Sequence, residues 1–223
     1  MTSLDFDFIL SKLVNKRPIF HNEADFKFAL SWMIKKCYQD VKIRLEVPIE
    51  LDKRIFADIL VVTREGWIPI ELKYKTKELH CNFKNVLYDN YYLIEQSGEA
   101  DARYDYLKDI KRIEDIRDEY SEEFVEGYAI FLTNELMYKE KTSDEYLYNA
   151  FAINDGAEQR GEISYNGKNN KYGEFILKGN DGKGYLMKWK DYSVIAETDF
   201  TFIDGSNKYD KFCYLISKIK KQS

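Results

Sequence analysis

The sequence predicts an α/β fold, a three-layer sandwich on a central mixed sheet with an additional β-rich section toward its C-terminal end. Three observations carry that expectation. Apolar runs at Ile55 to Val62 and Gly127 to Asn134 are too short for helices and rich in strand-forming residues. Between them, Asp101 to Tyr120 repeats its aliphatic residues at helical spacing. From Gly156 to Gly184 the chain is polar and glycine-rich, with NGKNNKYG and KGNDGKG as turn signals. At 223 residues the chain is read as one domain over 1–223, with a core at about 20–155 and the β-rich extension at about 156–223.

Taken in order, Leu4 to Val14 reads as a short helix closed by the Asn15 to Pro18 segment. Asn22 then caps a second helix with an acidic first turn. Phe26, Leu30, Met33 and Cys37 form its apolar stripe, and Glu23 lies three residues before Phe26 on the same side. A carboxylate at the end of a core-facing stripe is placed to reach the sheet, although a first-turn acid also serves the helix dipole alone; Asp25 is the substitute. Lys42 to Glu50 alternates, with Ile43, Leu45, Val47 and Ile49 on one face. Lys42, Arg44 and Glu46 take the other, solvated face, and Pro48 suits a strand end.

The stretch Arg54 to Lys77 reads as a hairpin. Ile55 to Val62 is interrupted by one carboxylate, Asp58. Trp67 to Lys73 alternates, Ile68, Ile70 and Leu72 against Trp67, Pro69, Glu71 and Lys73, and Gly66 is free to take positive φ in the turn. A hairpin centred near Glu65 puts Asp58 opposite residues around 71 to 73, within side-chain reach. Asp58, Glu71 and Lys73 therefore converge. Burying two carboxylates and an ammonium on apolar strands costs several kcal/mol unless something compensates, and a divalent ion is such a compensation.

Beyond Lys77, Phe83, Tyr88, Tyr91 and Tyr92 mix with Lys84 and Asn85. These letters fit either a long loop packed down by its aromatics or a basic, aromatic surface for a nucleic-acid strand. In the long helix Leu107, Ile110, Ile113 and Ile116 form the buried side, while Asp105, Lys108, Asp109 and Arg112 make a polar, solvated face. Asn149 to Asn154, Glu174 to Lys178, Tyr185 to Lys190 and Phe200 to Ile203 read as strands; Lys208 to Lys221 is of either type. KGNDGKG is a turn around Asp181-Gly182 and no phosphate loop, because Gly184 follows the GK pair.

The formal charge of −5 means that any phosphate-binding surface is local on an acidic exterior. Three widely spaced cysteines make neither a zinc pattern nor a disulfide framework. The 18 Tyr and 14 Phe are read mostly as amphipathic core packing. The opening MTSLDFDFIL carries no positive n-region and no apolar run approaches membrane-spanning length, so the expectation is a cytoplasmic protein with no membrane partner.

Asp58, then twelve residues, then Glu71-Leu72-Lys73 resembles the D…ExK signature of the PD-(D/E)XK nuclease superfamily. Ala57 stands where the family name puts Pro. The stretch Arg103 to Glu114 also resembles uncharacterised prokaryotic members of that superfamily. The resemblance implies a restriction-endonuclease-like fold and a Mg²⁺-dependent phosphodiesterase, with Mn²⁺ as substitute, acting on nucleic acid, DNA in the first instance. It implies Asp58, Glu71 and Lys73 as catalytic residues, and Glu23, Asp58, Glu71 and the carbonyl of Leu72 as metal ligands. Lys73 would position the attacking water or take its proton while stabilising charge on the phosphate. By the same analogy Gln96, Lys108 and Arg112 contact substrate, and a homodimer is a family option. Exonuclease branches carry Q-x(3)-Y near here; Gln96 has Ala100 at that spacing, which leaves the endonuclease reading ahead. The competing class is a non-catalytic nuclease-like fold serving as a nucleic-acid-binding or protein-interaction module. The plainest competitor is a cross-strand ion pair of Asp58 with Lys73.

Overall fold

The computed structural model describes residues 3–50, 55–84, 90–141, 147–165, 172–203 and 207–222. It is a mixed α/β structure with three α-helices among the described residues: α1 (Phe6–Val14), α2 (Glu23–Cys37) and α3 (Glu99–Glu119). The first six strands are β1 (Lys42–Glu50), β2 (Ile55–Val62), β3 (Trp67–Lys75), β4 (Leu79–Phe83), β5 (Asn90–Leu93) and β6 (Glu126–Thr133). After α3 and β6 come short strands, β7 (Glu158–Gln159), β8 (Gly161–Ile163), β9 (Phe175–Leu177) and β10 (Tyr185–Leu186), then β11 (Trp189–Val194), β12 (Phe200–Phe202) and β13 (Lys211–Lys220).

The central sheet has six strands in the order β1-β2-β3-β6-β13-β11. Only β3 and β6 run parallel within it, and α3 forms the long crossover that such a pair requires. Side-chain alternation divides the core between the two faces. Tyr128, Ile130 and Leu132 of β6 pack with residues of α1 and α2, whereas Ala129 and Phe131 pack with those of α3. Phe212 and Tyr214 of β13 join the first cluster, and Cys213 and Leu215 the second. Strands covered on both sides read as continuous apolar runs, as Gly127 to Thr133 does.

Local chemistry explains where α1 and α2 begin. Asp5 accepts the Phe8 N–H at 3.0 Å and Asn22 accepts the Asp25 N–H at 2.9 Å, so each caps its helix. The β2–β3 turn rests on Gly66 at φ 141°, where a Cβ would strike the carbonyl of Glu123. Gly127 lets α3 close on β6, because a Cβ there would meet the side chain of Ile113.

Several expectations are corrected. Residues 79–83 and 90–93 are no loop: β4 pairs with both β5 and β12 in a separate sheet, closed by edge-on contacts of Phe200 with Phe83 and Tyr91. Asn149 to Asn154 forms no strand; a 3-10 helix occupies Leu147–Phe151. The end of the chain is a ten-residue strand that sits inside the central sheet, between β6 and β11. The polar face of α3 is solvated only in part: Lys108 is exposed, Asp105 and Arg112 are half-buried and Asp109 is buried, and Arg103, Glu114 and Arg117 elsewhere on the helix are buried as well. The reason is that Tyr172, Leu177, Tyr185 and Met187 from the C-terminal section cover the second core cluster around this helix. Arg54, Asn85, Tyr88 and the 166–171 part of NGKNNKYG lie outside the described residues. The Asp181 turn is present, with positive φ at Gly179, Asp181 and Gly182. No described helix is long and apolar enough to cross a membrane.

Candidate active site

Strands β2 and β3 pair antiparallel from Val62↔Trp67 to Ile59↔Ile70, and the next step of this register sets Asp58 opposite Glu71. There the pairing ends while β3 continues beside β6 to Lys75. A strand that loses a neighbour must satisfy its N–H groups some other way. Along this edge the alternate N–H groups of Leu72, Tyr74 and Thr76 donate to side chains: to Asp58 Oδ2 at 2.9 Å, Glu23 Oε2 at 2.9 Å and Gln96 Oε1 at 3.3 Å. Three residues far apart in sequence are thereby gathered on one strand edge.

Cations fill the space between the acids. Lys27, one turn after Glu23 on α2, places Nζ 3.1 Å from Asp58 Oδ1 and also pairs with Glu46. From the other face of the sheet, Arg112 of α3 holds Glu71 at 2.7 Å and Asp109 at 3.2 Å. Lys73 stands 3.9 Å from Asp109. Asp58 thus pairs with Lys27 and Lys73 with Asp109, so the plainest competitor, a cross-strand pair of Asp58 with Lys73, is not what forms.

Glu71 is the least accommodated member. Its side chain is 4% exposed, and Oε1 is buried with no hydrogen-bond partner among the described residues. Desolvation, with Asp109 and Asp58 adding repulsion, raises its pKa well above the ordinary carboxylate value despite Arg112. Desolvation raises Glu23 likewise, and lifts Asp109 to about 7. Burial disfavours the charge on Lys73, but Asp109, Glu23, Asp105 and Asp58 outweigh it and hold the ammonium above its usual pKa. Lys73 is therefore a cation and a donor at neutral pH.

Glu23, Lys73 and Gln96 line one cleft of about 450 Å³, together with Asn22, Lys75 and Asp105. Leu72 contributes its N–H to Asp58, while its side chain is buried in the core with α1 and α2. Arg112, expected at the substrate, already has two carboxylate partners. Lys108 is exposed on α3, with Nζ 5.5 Å from the ring centroid of Tyr104. Asp25, the substitute for Glu23, is tied to Arg17 at 2.6 Å. Lys27 and Asp109 escaped the sequence reading as site residues. Their signal was spacing: Lys27 is i+4 from Glu23, and Asp109 is i+4 from Asp105 and i−3 from Arg112.

Among the described residues no group of three His, Cys, Asp or Glu side chains is gathered as a metal site. The donor chemistry does fit a hard divalent ion. Carboxylates opposed across a strand pair, one with a buried and unpartnered oxygen, offer what Mg²⁺ or Mn²⁺ takes. Comparison with protein-family models, with curated proteins and with solved structures returned no match.

Proposed function

We propose that the protein is a divalent-metal-dependent phosphodiesterase with a restriction-endonuclease-like fold, acting on nucleic acid and on DNA in the first instance. One observation carries this reading: Glu71, facing Asp58 across the hairpin and followed by Lys73, keeps a buried carboxylate oxygen with no hydrogen-bond partner among the described residues. A fold gains nothing from such an atom, and a ligand would explain it. Asp58 and Glu71, with Glu23 and the Leu72 carbonyl, would hold Mg²⁺. When bound, the ion supplies Lewis acidity toward a phosphate oxygen and a water of lowered pKa. Lys73, held protonated, donates to phosphate oxygen and orients the water rather than removing its proton. Gln96 and Lys73 line the open cleft and meet the substrate there.

The edge-capping geometry supports a second reading, a nuclease-like fold kept as a binding or interaction module, because Asp58 and Glu23 also have structural work on the N–H groups of β3. Incubation of the purified protein with linear, nicked, branched and single-stranded DNA, in Mg²⁺ and in Mn²⁺, separates the two. Metal-dependent cleavage of any of these supports the enzyme; no cleavage together with no divalent-ion binding at millimolar concentration overturns it.

A further inference from the structure

We propose that Lys27 is the counter-ion of the metal-free site, occupying Asp58 until a divalent ion takes its place, and so setting the affinity for that ion. The inference rests on the metal-dependent reading above. It starts from a helix face: Lys27 follows Glu23 by one turn, so the same side of α2 delivers both to the β3 edge. The Lys27 side chain is only 10% exposed, and its ammonium meets Asp58 Oδ1 at 3.1 Å. The other oxygen of Asp58 is engaged by the Leu72 N–H. Oδ1 is thus the oxygen open to a cation, and a lysine is already on it. An ammonium and a divalent ion repel each other at such separations, most strongly where water is scarce. Binding of the ion therefore displaces Lys27.

Glu46 gives the displaced ammonium somewhere to go. It lies on β1 beside Asp58, since the register runs Leu45↔Ile59 and Val47↔Ala57 on either side of it. Its side chain is 64% exposed, and it already pairs with Lys27. Its backbone takes φ 51°, in the left-handed region that non-glycine residues seldom adopt. Lys27 so has two acceptors, one buried in the site and one at its rim, and can release the first without becoming an unpaired buried charge.

The two acceptors give two substitutions of opposite sign. Lys27→Met keeps the length of the side chain and removes the competitor, so Mn²⁺ should bind about ten-fold more tightly. Glu46→Gln removes the negative charge at the rim, leaves Asp58 as the carboxylate partner of Lys27 and should weaken Mn²⁺ binding about three-fold. Calorimetric titration of the full chain with MnCl₂, without nucleic acid, reads both, and thermal unfolding with and without Mn²⁺ reports whether each variant is folded. Tighter binding by Lys27→Met and weaker binding by Glu46→Gln establish the exchange. Equal or weaker binding by Lys27→Met, in a protein whose wild type binds Mn²⁺, overturns the exchange and leaves the metal reading standing. Should Lys27→Met fail to fold, Glu46→Gln decides, and unchanged or tighter binding by it overturns the proposal. A wild type that binds no Mn²⁺ removes the metal reading itself, and the exchange with it.

Discussion

Two buried glutamates, Glu114 on α3 and Glu71 on the neighbouring β3, are treated in opposite ways. Glu114, fully buried, accepts the Gly179 N–H and the Tyr185 hydroxyl on Oε1, each at 2.7 Å, and the Lys178 N–H on Oε2 at 3.0 Å. Both oxygens are used, and the result is structural: the carboxylate fastens the β9–β10 region to the helix. Glu71 has one arginine contact on Oε2 and, among the described residues, no hydrogen-bond partner on Oε1. Burial alone does not mark a functional acid. An acid whose lone pairs are all taken explains itself by the fold, whereas one that the fold leaves unpaired points to something bound.

The largest expected effect tests the functional half of that contrast. Asp58→Ala and Lys73→Ala should each lower metal-dependent DNA cleavage by on the order of 10³-fold, for different reasons. Calorimetry with Mn²⁺ distinguishes them: Asp58→Ala should lose metal affinity, and Lys73→Ala should keep or increase it. Parallel losses of affinity would remove the separate role of Lys73.

Stability tests the contrast directly. Glu114→Ala strands two backbone donors and a tyrosine hydroxyl in the interior, and should cost about 3–5 kcal/mol in urea unfolding. Glu71→Ala removes a poorly satisfied carboxylate and should change metal-free stability by less than about 1 kcal/mol, or raise it. Similar losses at the two positions would erase the distinction.

A pH series sharpens it further. Desolvation, against the pull of Lys73 and Arg112, raises Asp109 from 3.8 to about 7. Between those values the folded state binds more protons than the unfolded one, so this group's contribution to stability is full below pH 3.8 and is lost as pH rises toward 7. Asp109→Asn should flatten that slope and gain on the order of 2 kcal/mol over wild type at pH 7.5, relative to the difference at pH 4. Urea midpoints at both pH values measure it, and an unchanged slope would show that Asp109 is not the titrating group. The smallest effect is expected at Lys108, exposed over Tyr104. Lys108→Ala should cost less than about 0.5 kcal/mol and alter DNA cleavage less than about two-fold; a larger loss of cleavage would return Lys108 to the substrate surface.

Much of this architecture was legible before any coordinates. The cap Asn22 acts within a few residues of its own helix, so its chemistry is local; Asp5, which caps α1 in the same way, went unread. The hairpin of Asp58 and Glu71 was readable for the same reason, because a short turn transmits register directly to the residues on either side. The C-terminal strand was not. Lys211–Lys220 is buried on both faces at positions that alternation alone cannot distinguish from a helix, and its partner β6 lies some eighty residues away in the chain. The aromatic stretch after Lys77 failed likewise, because β4 gains its second neighbour, β12, only from Phe200–Phe202.

For this protein, then, sequence by itself determined the capped helices, the central hairpin and the opposition of two carboxylates across it, since each depends on interactions within about twenty residues. Tertiary structure alone decided what those carboxylates meet. Lys27 reaches Asp58 from one side of the sheet and Arg112 reaches Glu71 from the other, and the two basic residues come from helices separated by most of the intervening chain. Nor does spacing reveal that β2 ends its pairing at Ile59, which leaves the edge of β3 to Asp58, Glu23 and Gln96. Charges in the interior are governed by whatever the packed chain brings within a few ångströms of them, and that neighbourhood exists only once the sheet is assembled with helices on both faces.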